Sequence, residues 1–116
     1  MTPYLNLKMR RGDTFSIVGN VTDEDGIAID LTGKSLLFNA KRNLSDDFIY
    51  LQKIDDEILR IHEDEGIIEV VIEQEDTENL PSIGAILFWE LRLDDNGVTT
   101  TLAEGSLTVS ADLYFG

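Results

Sequence analysis

Two reverse turns fall within the twelve residues Thr22–Gly33, TDEDGIAIDLTG, and they constrain what the flanking chain can become. Asp23-Glu24-Asp25-Gly26 bends the chain directly after the strand-like run FSIVGNV, since Gly26 takes a positive φ at no steric cost. Ile27–Asp30 is a short extended piece, and Leu31-Thr32-Gly33 bends the chain again before SLLFNAKR. Extended segments joined by turns of this chemistry point to an antiparallel, loop-punctuated β module.

Strict alternation extends that reading. Ala85, Leu87, Trp89, Leu91 and Leu93 share one side of the run 85–94, the pattern of a strand at the centre of a core. Trp89 is then the plug of that core and not a ligand platform. Asp94-Asp95-Asn96-Gly97 supplies the two positive-φ positions of a type I′ hairpin. Val98–Leu102 returns from it, and Gly105 precedes a last strand, Ser106–Ser110, with Leu107 and Val109 inward.

Tyr4–Arg10 alternates after Pro3 as a half-buried edge strand, and Ile68, Val70 and Ile72 form one face of another strand, Ile67–Glu73. Phe48–Gln52 predicts an aromatic strand with both faces partly covered, or with one offered to a partner. Asp55–Glu65 reads two ways. Ile54, Ile58 and Ile61 have helical spacing, whereas Ile58-Leu59-Arg60-Ile61 ahead of Asp64-Glu65-Gly66 reads as a strand, and the β-branched run after Gly66 favours the strand. Gln74–Leu80 lacks a β pattern, so Asp76 or Thr77 is expected to cap one helical turn that Pro81 ends. Seven or eight short strands, with no helix long enough for a crossover, predict a single all-β domain over 1–116, a two-sheet sandwich or a small barrel.

The chain has no cysteine, which excludes disulfides, thiolate catalysis and thiolate zinc sites. Its formal charge is -14, and the carboxylates are unevenly placed. Residues 1–42 hold Lys8, Arg10, Arg11, Lys34, Lys41 and Arg42 against five acidic side chains, while 55–78 alone carries eleven carboxylates. Such a surface repels phosphates, so neither nucleic acid nor an anionic membrane is an expected partner. No signal-like run opens the sequence, and AILFW is far shorter than the ~20 residues a spanning helix needs. That fits a cytosolic protein or a particle assembled in cytosol.

The candidate reactive groups are sparse. His62 is the single histidine and lies in RIHEDEG without a nucleophile or oxyanion donor in view, so a surface histidine is expected. The carboxylates cluster on turns instead of opposing one another across a cleft. Asp23-Glu24-Asp25-Gly26 begins like a calcium loop, but Ile27 stands at its fifth position and Lys34 at its twelfth, where oxygen ligands are required. No phosphate-cradling glycine motif is present, and no cofactor or catalytic residue is expected. The candidate interface residues are Arg10 and Arg11, together with Ile49, Leu51, Phe88 and Phe115. The arginines either protect an edge strand or form a socket for an acidic neighbour. The four apolar residues either fill a neighbour's surface or form a second core layer.

In order and spacing, several motifs resemble a β-sandwich module of tailed-phage and prophage proteins, the N-terminal domain of the baseplate upper protein. They are Gly12-Asp13, the turn from Asp23 to Gly26, the bend from Asp30 to Gly33, and the strand led by Gly66 that runs to Asp76-Thr77 and Leu80. The apolar strand with its Asn-Gly hairpin and the closing Gly105, Leu107 and Val109 complete the set, which spans about residues 7–112. The resemblance implies an immunoglobulin-like two-sheet antiparallel sandwich of 7–8 strands, in a non-enzymatic structural protein of a phage tail or baseplate. It implies assembly in the host cytoplasm, residence in the virion tail, and partners among other tail proteins and further copies of itself. Larger relatives continue into linkers and further domains, whereas this sequence stops at Gly116; a stand-alone tail component, a prophage remnant and an expressed domain are all compatible with that. A different class, a small extracellular carbohydrate- or peptide-binding sandwich, would need exposed aromatics along a groove, and only Tyr4, Tyr50 and Tyr114 are candidates.

Overall fold

A computed structural model describes residues 4–43, 45, 48–80 and 84–111. The strands are β1 Tyr4–Arg10, β2 Phe15–Asn20, β3 Ser35–Lys41, β4 Leu51–Ile54, β5 Ile58–His62, β6 Ile67–Ile72, β7 Gly84–Asp95 and β8 Val98–Ser110. One helical turn, α1 Gln74–Thr77, lies between β6 and β7. The strands form two sheets, ordered β1-β8-β7-β3-β4 and β2-β6-β5. The runs β8-β7-β3-β4 and β2-β6-β5 correspond to the G-F-C-C′ and B-E-D strands of an immunoglobulin-like sandwich, with β1 added to the larger sheet beside β8. The pairing is antiparallel except between β1 and β8, which run parallel from Tyr4↔Glu104 to Arg10↔Ser110.

The inner parity of β7 is the one the alternation predicts. Leu87, Trp89, Leu91 and Leu93 are all buried against Leu36, Phe38 and Ala40 of β3, Leu107 and Val109 of β8, and Ile68, Val70 and Ile72 of the facing sheet. Trp89, 3% exposed, stacks on Phe38 with ring centroids 5.6 Å apart. Its indole N–H donates to the Ser106 carbonyl at 3.1 Å, so the one polar atom of the plug is satisfied.

The hairpin after β7 follows its turn chemistry: Asn96 has φ 52 and Gly97 φ 87, and the Gly97 N–H donates to Asp94 Oδ1 at 2.9 Å. Two segments differ from expectation. The strand expected over Phe48–Gln52 begins only at Leu51, because β4 pairs with β3 from Ala40↔Leu51 to Leu37↔Ile54. The two pieces expected after Gly97 are one 13-residue strand. It stays continuous by a bulge, with Leu91 facing Ala103 and Arg92 facing Thr101, so that Leu102 is the extra residue. The Asp55–Glu65 stretch resolves toward the strand reading, as β5 flanked by single 3₁₀ turns at Asp55–Glu57 and Glu63–Glu65.

The parallel β1–β8 contact depends on one small residue. A Cβ on Gly105 would overlap the backbone carbonyl of Leu5, so β1 lies where only glycine permits it. Gly97, by contrast, has open space around it and is constrained by its φ of 87 alone. Gly105→Val is expected to cost about 3 kcal/mol, and Gly97→Ala about 1 kcal/mol. Urea denaturation of both variants checks the ranking; equal costs would mean that β1 is not held against β8 in this way.

Candidate protein-contact surfaces

Most of the polar side chains that could attract a functional reading are engaged in holding the fold. Arg60, on the inner side of β5, reaches across to the bend before β3. It donates to the carbonyls of Leu31 at 2.9 Å and Lys34 at 2.6 Å, and pairs with Glu63 at 3.0 Å. Asp55, held at a positive φ of 42, stands 3.6 Å from the same guanidinium and accepts the Leu36 N–H at 3.0 Å. Lys53 of β4 and Asp76 of α1 form a mostly buried ion pair at 2.8 Å, which ties the edge of the larger sheet to the β6–β7 connection. Asp76 also accepts the Glu73 N–H at 2.7 Å, so the helical turn starts from Glu73 and not from Asp76 or Thr77.

Arg11, a candidate interface residue, has an intramolecular role. Its guanidinium donates to the carbonyls of Leu80 at 3.1 Å and Glu78 at 2.8 Å. The buried Thr77 hydroxyl accepts the neighbouring Gly12 N–H at 2.9 Å. Leu51 is 3% exposed and belongs to the core, because its register with Ala40 turns it inward. Ile49 is half-buried and precedes β4, and Phe88 is half-buried on the outer side of β7. Arg10 is exposed at the end of β1. Phe115 and Tyr114 lie outside the described residues.

The candidate reactive groups are placed as follows. His62 is exposed at the end of β5. In the Asp23–Gly26 turn, Asp23 Oδ1 accepts the N–H groups of Asp25 at 2.9 Å and Ile27 at 3.0 Å, so that oxygen is used inside the turn. No group of three or more His, Asp or Glu side chains converges among the described residues. Nor is any helix among them long and apolar enough to cross a membrane. A groove of about 700 Å³ opens between β2 and the first half of β8, lined by Leu5, Val18, Val21, Leu91 and Leu102 among others, with no aromatic side chain on its walls.

Exposed apolar side chains lie on the outer sides of both sheets. The outer side of the larger sheet exposes Ile86, at 56%, beside the half-buried Phe88. The outer side of the smaller sheet exposes Val18, at 62%, in register with Glu69 and Leu59, with Ile61 exposed nearby. The sequence reading overlooked Lys8, Leu59 and Ile86. Each sits at an ordinary outward parity of its own strand, and only the inter-strand register brings them beside their neighbours.

No family model matches the chain, and no curated protein matches it. Among solved structures it is similar to the N-terminal domain of phage TP901-1 ORF48, with a TM-score of 0.46 and 9% identity, over 94% of this chain and 84% of that one. At that identity and superposition the likeness carries no argument about function.

Two titrations follow from local contacts. The Thr32 hydroxyl and backbone N–H hold the Asp30 carboxyl below the ordinary aspartate range. The neighbouring Glu75, by a shared hydrogen bond and by its charge, raises the Glu73 carboxyl. For Asp30 the folded state binds fewer protons than the unfolded chain just below about pH 4. Its stabilising contribution is therefore complete above that range and lost as pH falls through the lowered value. Asp30→Asn is expected to flatten the acid limb of a urea-midpoint-versus-pH curve; an unchanged limb would remove Asp30 from the acid response. Arg60→Met, which leaves the Leu31 and Lys34 carbonyls without this donor, is expected to cost about 2–4 kcal/mol. Arg10→Ala, at an exposed site, is expected to fall within about 0.5 kcal/mol of wild type, and the same denaturation series checks both.

Proposed function

We propose that this chain is a non-enzymatic packing module of a phage or prophage tail or baseplate, acting through protein–protein contact and residing in the virion. The observation that carries the packing reading is the pair of outer sheet faces. Both present exposed aliphatic side chains, whereas Arg11, Lys53 and Arg60 are engaged in clamping turns and connections. Exposed apolar groups on a rigid sheet face are the usual material of a contact surface. The tail setting is supported by the ordered turn and strand motifs that resemble the baseplate module, together with a sandwich of the kind they imply.

The carbohydrate-binding alternative draws little from the geometry. The large groove has no aromatic wall, and the exposed Phe48 meets Tyr50 edge to face at 4.7 Å, well apart in sequence and strand from Tyr4. Antibody labelling of purified particles from a strain that produces the protein tests the setting. Label at the tail or baseplate is the expected result, and its absence from particles, with all of the protein in the soluble fraction, would overturn the reading.

A further inference from the structure

The outer face of the larger sheet is divided by charge along its register. Three successive rows are Arg10–Ser110–Gly84, Lys8–Thr108–Ile86 and Asn6–Ser106–Phe88–Lys41. They carry three cations and no carboxylate, in a chain of formal charge -14. The next row, Tyr4–Glu104–Glu90–Asn39–Gln52, brings in two carboxylates and ends the patch. Lys8 shares a row with the exposed Ile86, Arg10 stands in the row beside it, and Lys41 ends the row of the half-buried Phe88.

The opposite side of the sandwich has the complementary composition. The outer face of the smaller sheet sets Val18 and Leu59 on either side of Glu69. Carboxylates also stand at both ends of β5: Asp55 and Glu63 are turned to Arg60, which leaves Asp56 and Glu57 before the strand and Asp64 and Glu65 after it. One face therefore offers cations around an apolar centre, and the other offers carboxylates around an apolar centre. Because the two lie on opposite sheets, they cannot meet within one molecule.

We infer that the basic face around Ile86 and Phe88 docks on the acidic outer face of the smaller sheet in a second copy of this chain. This specifies a partner for the packing reading and rests on it. The contact joins two different patches, so it is head-to-tail and not a two-fold dimer, and repetition closes into a ring or grows as a filament. At physiological ionic strength charges more than ~8 Å apart are largely screened. The facing patches then act more strongly on each other than the net charges of the two molecules do.

The test uses two variants, each disabling one side of the contact. Lys8→Glu with Arg10→Glu removes the basic face, and Leu59→Lys with Glu69→Lys removes the acidic one; circular dichroism and urea midpoints verify that both remain folded. Light scattering on a concentration series is expected to show association of the wild type and its loss, by ~10-fold or more in affinity, in each variant alone. An equimolar mixture is expected to regain association, since the acidic face left in the first variant meets the basic face left in the second and the two reversed faces also oppose each other with unlike charge. A monomeric wild type, a mixture that stays monomeric, or a variant that dimerises alone would overturn the pairing. A monomeric wild type that still binds another tail or baseplate protein would overturn this pairing and leave the packing reading in place. Failure to bind either would remove both.

Discussion

Parity along β7 is the constraint to which the rest of the sandwich is fitted. With Leu87, Trp89, Leu91 and Leu93 inward, Phe88, Glu90 and Arg92 face out. A slip of one residue would exchange the two sets, exposing the indole and carrying a carboxylate and a guanidinium into an apolar gap at a cost of several kcal/mol each. The register is pinned at the turn by Asn96-Gly97 and again at the bulge, where Leu102 lies between the residues that face Leu91 and Arg92. Once β7 is fixed, the stacked Trp89 and Phe38 rings set the position of β3, and the Ser106 carbonyl that receives the indole N–H sets that of β8. A cysteine-free sandwich of this type thus has an aromatic stack where many immunoglobulin domains have tryptophan against a disulfide.

The scarce cations are used with economy. Arg60 satisfies two carbonyls of the bend before β3 and pairs with carboxylates from the turns on both sides of β5. Arg11 does similar work at the end of the helical turn, and Lys53 holds Asp76 in a mostly buried contact. A guanidinium is suited to this role because its planar fork reaches several acceptors while staying charged. Each such clamp joins segments that belong to different sheets or to the connections between them. The hydrophobic gap holds the sheets together, and the clamps fix how their ends meet.

Which features were legible in the sequence follows from their range. The β7 row, the Asn-Gly hairpin, β5 and β6 rest on contacts a few residues apart or on simple alternation and agree with the structure, whereas the helical turn exists but begins at Glu73, ahead of the expected caps Asp76 and Thr77. The parallel β1–β8 pairing joins residues about a hundred positions apart and leaves no local mark beyond Gly105. The aromatic run at Phe48 looked like a strand by composition, but strand identity there is decided by the reach of β3 as a partner, which begins at Leu51. Leu51 was one of two open readings, partner contact or core, and its pairing with Ala40 decides for the core. Arg11 was legible as a charge but not as a clamp, because backbone carbonyls nearly seventy residues away have no sequence signature.

The same register that builds the core also sorts the surface. Alternation sends every second residue of β1, β7 and β8 outward, and the choice of residues there sets Lys8 and Arg10 beside Ile86 while the carboxylates gather on the turns of the smaller sheet. A sandwich with unlike faces has a direction, so any contact between copies that uses both faces inherits it. The net charge opposes growth, since each added copy brings the same excess of carboxylates, and self-repulsion accumulates while the gain per contact stays fixed. Orientation and limitation of such an assembly would then come from one charge distribution: the local asymmetry aligns neighbouring copies, and the overall excess penalises long unbroken runs unless other subunits or counter-ions neutralise it.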